Sequence, residues 1–136
     1  MPSFEQLSFP GLKETLAVAA GGLFGSVFRY LTGHFAAQLF GTTFPWGTLI
    51  VNGLGTSLLA FVVTLAFNKP GTIDPGLRFF LTTGFAGGFT TFSALAMETF
   101  SLYQKGEVVL ATANLGGNLL LGLVAVVIGF VLARLI

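Results

Sequence analysis

The stretch GFAGGFTTFSALAMET, residues 84 to 99, lies inside an apolar segment that is long enough to cross a lipid bilayer. Its centre is unusual for such a segment, because two adjacent glycines are followed by hydroxyl side chains at Thr90, Thr91 and Ser93. Glycine costs about 1 kcal/mol relative to alanine in a helix interior, and threonine is stiff at χ1. We therefore predict that this helix is broken near its centre, between Gly87 and Thr91.

The composition indicates the class of protein. Of the 136 residues, 54% are hydrophobic and 8% are charged, whereas soluble domains carry roughly a quarter charged residues. A soluble fold of this size would lack the polar surface to cover itself, so we predict an all-α integral protein of the cell membrane. The sequence contains no basic patch of the kind that binds nucleic acid. The chain has no cysteine and a single histidine, which excludes thiol chemistry and a histidine-cluster metal site within one chain.

Four segments qualify as membrane spans, since a helix needs about 20 apolar residues to cross the hydrocarbon core. They cover about residues 12–39, 47–67, 77–103 and 108–133 of a single domain, 1–136. The loops between them are too short to contain a water-soluble domain. An even number of spans places both termini on one side of the membrane, and the lysines and arginines bias the orientation only weakly. The chain is therefore expected either to prefer one orientation narrowly or to insert in both.

Several polar side chains fall within these apolar segments, where an unpaired polar group is costly. Besides the three hydroxyls of the third span, they are Arg29, Asn52, Glu98, Asn114 and Asn118. Asn114 and Asn118 are four residues apart and share one helix face. Most of the groups are neutral hydrogen-bond donors, and the mid-span carboxylates that mark cation pores are missing. Neutral donors suit a small anion, as does the positive edge of a phenylalanine ring such as Phe92.

Each of these groups also has a purely structural interpretation. Asparagines often form hydrogen bonds between helices, and threonine or serine hydroxyls can bond carbonyls of their own helix. Arg29 can extend to the membrane interface. Glu98 either lies at the interface or acts as a proton-linked carboxylate. Glycine pairs at four-residue spacing can serve helix packing alone.

A break at membrane depth frees backbone groups, which is tolerated only where they line a cavity or bind a ligand. Freed carbonyl oxygens suit a cation such as Na⁺, and the neighbouring hydroxyls suit an anion. Four helices enclose little space, so we expect a dimer. If the chain inserts in both orientations, that dimer can be antiparallel, and the two broken helices would meet at the membrane midplane.

The quoted stretch and two others resemble the helix motifs of the CrcB/Fluc family of fluoride channels. GGLFGSVFRY, residues 21–30, resembles the first-helix motif that ends in an arginine, and FPWGTLIVNGLG, residues 44–55, resembles the second-helix motif. Residues 84–99 resemble the third-helix motif. The resemblance covers nearly the whole chain. It implies a fluoride-selective channel, not an enzyme, that lowers cytoplasmic fluoride by passive efflux and so confers fluoride resistance.

The resemblance also implies an assembly and a set of site residues. The assembly is an antiparallel, dual-topology homodimer with a structural Na⁺ at its centre, bound by backbone carbonyls that correspond to Gly87 and Thr90. Arg29 corresponds to a vestibule or structural arginine. The fluoride pathway would contain a phenylalanine ring edge and a track of polar side chains. These pathway residues are Asn52, Thr91, Phe92, Ser93, Asn114 and Asn118.

The chain departs from the family pattern in two places. A second phenylalanine often follows the first after three residues, where this chain has Leu95, and leucine offers no positive ring edge. In the fourth helix, asparagines stand where some relatives have tyrosine and serine. Two other functions fit the same residues. One is a proton-coupled four-helix exporter that uses Glu98, and the other is a non-transporting subunit whose glycines and asparagines only pack helices.

Overall fold

The computed structural model describes residues 9–136, and within that range all regular secondary structure is helical. The elements are α1 (Leu12–Phe40), α2 (Trp46–Asn68), α3 (Pro75–Phe79), a π-helix (Phe80–Ala86), α4 (Gly87–Phe89), α5 (Phe92–Gln104) and α6 (Val108–Arg134). The third span, Pro75–Gln104, comprises α3, the π-helix, α4 and α5. With α1, α2 and α6 it makes, within residues 9–136, four helices that are long and apolar enough to cross a membrane. The predicted all-α, four-span membrane fold is confirmed.

Turn residues end and begin the spans. Gly41 follows α1 with a φ of 80°, a backbone conformation that glycine adopts without steric cost. Asp74 begins the third span, because its carboxylate accepts hydrogen bonds from the N–H groups of Gly76 and Leu77 at 2.9 and 3.3 Å. Pro75 takes the first helical position, where its missing N–H is not needed. These local signals separate the third span from α2.

The third span is interrupted at Thr90 and Thr91, between α4 and α5. The φ and ψ angles are −79° and 158° at Thr90 and −152° and 121° at Thr91, so both residues are extended. The span is bent by 14° at its centre, which confirms the predicted break. The glycines themselves are regular, because Gly87 has helical angles of −62° and −40° and Gly88 lies within α4. The break therefore follows the glycines instead of occurring at them.

The glycines allow α1 to approach the first half of the third span closely. A Cβ atom at Gly88 would lie 2.8 Å from the carbonyl oxygen of Gly22. A Cβ atom at Gly21 or Gly25 would overlap a backbone carbonyl of the π-helix. Small residues at four-residue spacing are typical of such contacts in membranes. The first half of the third span is thus packed backbone to backbone on α1.

The second half of the third span has different neighbours. Helix α5 packs on α6, and α6 packs along α2. Gly129 of α6 lies so close to α2 that a Cβ atom there would be 2.8 Å from the backbone nitrogen of Phe61. Thr91, at the start of α5, is buried, as are Asn114 and Asn118 of α6. This arrangement brings polar residues of α2, α5 and α6 together beside the break.

Candidate functional site at the helix break

The side chain of Asn52, from α2, pairs with the backbone at the break. Its Oδ1 accepts a hydrogen bond from the N–H of Thr91 at 2.7 Å, and its Nδ2 donates to the carbonyl of the same residue at 3.1 Å. Both groups would bond within the helix if it were continuous. Because Thr91 is buried, leaving either group unpaired would cost about 1–3 kcal/mol. One side-chain amide therefore satisfies both orphaned backbone groups.

A chain of hydrogen bonds continues from Asn52 into α6. Nδ2 of Asn52 also donates to Oδ1 of Asn118 at 2.8 Å. Nδ2 of Asn118 donates to the backbone oxygen and to Oδ1 of Asn114, at 2.8 and 3.1 Å. Nδ2 of Asn114 donates to Oγ1 of Thr99 at 3.1 Å, so the series of hydrogen bonds ends on α5. We call these five residues, including Thr91, the amide relay.

The amide relay has one direction. The N–H of Thr91 can only donate, so Asn52 must face it with Oδ1 and turn its Nδ2 towards the next acceptors. The same logic orients Asn118, whose oxygen faces Asn52 and whose nitrogen faces Asn114. In each of the three asparagines, the side-chain oxygen therefore accepts from the residue nearer the break. The side-chain nitrogen donates to the residue farther from the break, and that of Asn52 donates to the Thr91 carbonyl as well.

A cavity of about 530 Å³, which we call the vestibule, opens between α1, α2 and α5. Its lining includes Arg29, Thr48, Thr91 and Glu98. Arg29 is partly exposed and stands on α1, so the fold brings this charge into the same cavity as the break residue Thr91. The vestibule thus connects the charged residues of the predicted set with one end of the amide relay.

Glu98 is oriented within the vestibule by Thr48. The Oγ1 of Thr48 donates to Oε1 of Glu98 at 2.7 Å. The other oxygen, Oε2, is buried and accepts no hydrogen bond from any residue in the range 9–136. Thr48 was not among the predicted site residues, although its position four residues before Asn52 places both on one face of α2. This four-residue spacing is the feature of the sequence that could have identified Thr48 as a site residue.

An apolar groove of about 700 Å³ lies on the opposite side of α5, against α6. Phe92, Leu95, Phe100, Leu115 and Leu119 contribute to its lining. The ring of Phe92 is 77% exposed, whereas Leu95 is only 5% exposed. The groove therefore presents Phe92 at the surface of the single chain. Leu95, which stands where a second phenylalanine was expected, is buried at the base of the groove.

The residues predicted for the fluoride pathway and the vestibule fall into three groups. Asn52, Thr91, Asn114 and Asn118 join in the amide relay, and the Oγ atom of Ser93 lies 3.3 Å from Oγ1 of Thr91. Arg29 lines the vestibule, and Phe92 lines the apolar groove. Thr99, which closes the relay, was missed because only the packing of α5 on α6 brings it to Asn114. Nothing in its sequence position indicates that contact.

The carbonyls of Gly87 and Thr90 have lost their usual helical donors. The carbonyl of Gly87 would accept from the N–H of Thr91, but that group donates to Asn52. The carbonyl of Thr90 would accept from the N–H of Ala94, which donates to Oγ1 of Thr91 at 3.1 Å instead. Within residues 9–136, neither carbonyl accepts a backbone hydrogen bond. Two uncommitted carbonyl oxygens beside a break are suitable ligands for a hard cation.

Residues 16–130 match the family described as CrcB-like protein, Camphor Resistance (CrcB). The chain belongs to the CrcB family. A relative from Sulfurihydrogenibium sp., named "Fluoride-specific ion channel FluC", is 40% identical over 92% of this chain and 100% of its own length. Relatives of the same name come from Rhizobium etli, at 42% identity over 89% of this chain and 96% of the relative, and from Clostridium perfringens, at 43% over 89% and 94%.

Membership of the CrcB family confirms the resemblance predicted from the three helix motifs. The match spans all four helices, from the first turns of α1 to near the end of α6. Together with the four apolar helices, it identifies a multi-pass membrane protein. The helix break and the amide relay therefore belong to the family region of the chain, not to an added segment.

Proposed function

We propose that this CrcB-family chain forms a fluoride-selective channel that lets fluoride leave the cell down its gradient. The observation that carries the proposal is the similarity, over 92% of the chain, to a relative named as a fluoride-specific ion channel. The geometry supports it, because neutral amide and hydroxyl groups lie together deep within apolar helices. Such groups can replace part of an anion's hydration shell without the fixed charge that would bind it too tightly.

The pathway that we propose runs from the vestibule past the break. Arg29 raises the local anion concentration in the vestibule, as positive charge in a cleft does. Thr91 and Ser93 supply hydroxyls beside the break, and Asn52 supplies an amide. Phe92 supplies the positive edge of its ring on the groove side. Asn114 and Asn118 continue the polar track on α6.

The functional unit is proposed to be an antiparallel homodimer in the cell membrane. The apolar groove supports this assembly, because it exposes the ring of Phe92 on the surface of one chain. A second copy seated on the groove would enclose that ring and complete the pathway walls. Dual insertion, which the weak charge bias of the loops permits, would supply the copy of opposite orientation.

A structural Na⁺ at the dimer centre is part of the same proposal. The carbonyls of Gly87 and Thr90, both released from helical hydrogen bonding, would hold it. When bound, the ion would supply positive charge to the carbonyl oxygens at the break. The Asn52 pairing contributes by taking the N–H of Thr91 away from the Gly87 carbonyl, which keeps that oxygen free.

The direct test is fluoride efflux from liposomes that contain the purified protein, followed with a fluoride electrode. We expect rapid efflux of fluoride and little efflux of chloride from matched vesicles. No fluoride efflux would overturn the proposal in favour of a non-transporting assembly subunit. Equal fluoride and chloride efflux would refute the proposed selectivity.

A proton-coupled exporter would instead require a titratable carboxylate, and Glu98 is the candidate within the third span. The Glu98→Gln variant keeps an oxygen that can accept from Thr48, so its fold should be preserved. A passive channel predicts that this variant still conducts fluoride and that the flux does not need a proton gradient. Loss of flux in Glu98→Gln, together with a requirement for a proton gradient in the unmodified protein, would favour the exporter.

A further inference from the structure

The amide relay leaves Asn52 without a free donor. An asparagine Nδ2 carries two hydrogens, and in Asn52 one goes to the carbonyl of Thr91 and the other to Oδ1 of Asn118. Its Oδ1 accepts from the N–H of Thr91. An anion can therefore be bound by Asn52 only if it displaces one of these two acceptors.

The two acceptors differ in how readily they can be displaced. Thr91 is paired with Asn52 at two points, so losing its carbonyl would also disturb the bond to its N–H. The bond to Asn118 has one point and joins two side chains, so either side chain can pivot without a change in the backbone. The acceptor that an entering anion displaces is therefore the one on Asn118.

Asn118 is fixed so that its oxygen, not its nitrogen, faces Asn52. Its Nδ2 donates to the backbone oxygen and to the side-chain oxygen of Asn114, at 2.8 and 3.1 Å. The side chain is 6% exposed, and turning its amide over would break both bonds to Asn114. A small pivot, by contrast, lengthens only the bond to Asn52. A residue that contacts an anion is expected to offer it a hydrogen-bond donor. Asn118 instead presents an acceptor to the proposed fluoride pathway.

We propose that Oδ1 of Asn118 is a built-in competitor of the conducted anion, which occupies the Asn52 donor when no ion is bound and is displaced when one enters. This inference rests on the proposed fluoride function. Because one acceptor replaces another, the number of hydrogen bonds at Asn52 stays constant, and the ion neither enters nor leaves at the cost of an orphaned donor. Conduction requires binding that is weak enough for release, and the competing oxygen provides that weakness.

The test removes the competing oxygen in Asn118→Leu, a variant of similar size, and in Asn118→Ala, which is small enough to fit. Fluoride current is measured across planar bilayers as a function of fluoride concentration. Freeing one Asn52 hydrogen should lower the half-saturating fluoride concentration by about threefold to tenfold, the effect of about one hydrogen bond. The maximal current should fall at the same time, because a more tightly bound ion leaves more slowly.

Thr82→Val is the matched control. It removes a buried hydroxyl of the third span that donates to the carbonyl of Arg78 in the same span, and it leaves both hydrogens of Asn52 in their bonds. Its half-saturating concentration should equal that of the unmodified protein. An unchanged or raised value in both Asn118 variants, or an equal decrease in Thr82→Val, would overturn the proposal. If the unmodified protein carries no fluoride current at all, the proposed function fails, and this inference fails with it.

Discussion

The two halves of the third span are attached to the bundle in different ways. The first half, up to Phe89, lies on α1 through glycine contacts in which backbone touches backbone. The second half, from Thr91, is connected to α2 and α6 through side-chain amides and hydroxyls. The first attachment consists of close packing without hydrogen bonds, so no competing group can replace one of its partners. The second consists of hydrogen bonds, which another acceptor can take over.

This difference corresponds to two tasks within one helix. A bundle that conducts an ion needs a part that does not move and a part whose polar groups can rebond as the ion passes. Close packing through glycine gives the first property, and a chain of amides gives the second. The break at Thr90 and Thr91 is the boundary between them. Each prediction below disturbs one half and leaves the other in place.

The largest effect is expected from Asn52→Leu, which leaves both backbone groups of Thr91 unpaired. At about 1–3 kcal/mol for each buried group, the free energy of unfolding should fall by about 2–6 kcal/mol. Thermal unfolding in detergent, followed by circular dichroism, measures the change. Fluoride flux should be lost as well, because the proposed pathway loses its amide.

Asn68→Leu is the control for this change. Asn68 is the exposed last residue of α2, so the same substitution on the same helix removes no buried hydrogen bond. We expect it to unfold like the unmodified protein. If Asn52→Leu and Asn68→Leu unfold alike, the pairing of Asn52 with Thr91 does not stabilise the break.

A smaller effect is expected in the first half of the span from Gly21→Ala. The added Cβ atom would overlap the carbonyl of Phe80 and lie 2.8 Å from the nitrogen of Phe85, and backbone atoms cannot move aside easily. Overpacking of this kind costs about 1–3 kcal/mol. The midpoint of unfolding in sodium dodecyl sulfate should fall accordingly.

The adjacent glycine offers a close comparison. A Cβ atom at Gly22 would lie 3.9 Å from the carbonyl oxygen of Gly84, which is ordinary contact. Gly22→Ala should therefore be neutral or slightly stabilising, since alanine is the better helix former. Equal losses in both variants would mean that helix geometry, not the contact with the third span, decides the result.

The smallest effect is expected from Leu95→Phe, which introduces the second phenylalanine that the resemblance to the fluoride channels led us to expect. Leu95 lines the apolar groove beside Phe92, and a phenylalanine there would offer the anion a further positive ring edge. Because a more tightly bound ion leaves more slowly, the half-saturating fluoride concentration and the maximal current should both fall, by about twofold to tenfold. Leu102→Phe, at another buried position of α5, is the control and should leave both values unchanged. Unchanged values in Leu95→Phe would place Leu95 outside the pathway.

Much of the fold could be predicted from the sequence because membrane spans are encoded locally. Twenty apolar residues in a row, ended by turn residues, leave few alternatives, and all four helices were expected. The break was also predictable, since glycine and threonine weaken a helix where they occur. Its position was less so. Gly87 and Gly88 are both helical, Gly88 in close contact with α1, and the extended residues are the two threonines that follow.

The polar residues of the site could be identified singly, because each stands out against an apolar background. Their connections could not be predicted, because they depend on how α2, α5 and α6 pack. The i and i+4 spacing of Asn114 and Asn118 placed both on one face, but the direction of the amide relay follows from the N–H of Thr91. That group belongs to another helix. The contacts of Thr48 with Glu98 and of Thr99 with Asn114 likewise join residues 50 and 15 positions apart.

The pairing of Asn52 with Thr91 has a consequence for how the chain matures. The side chains that support the break come from a segment made before the third span, α2, and from one made after it, α6. A ribosome that has finished Gln104 has therefore supplied only one of the two supports. Asn52 can bond Thr91 at that stage, but its bond to Asn118 and the bond from Asn114 to Thr99 form only when α6 arrives, so the amide relay is completed from the carboxyl-terminal end.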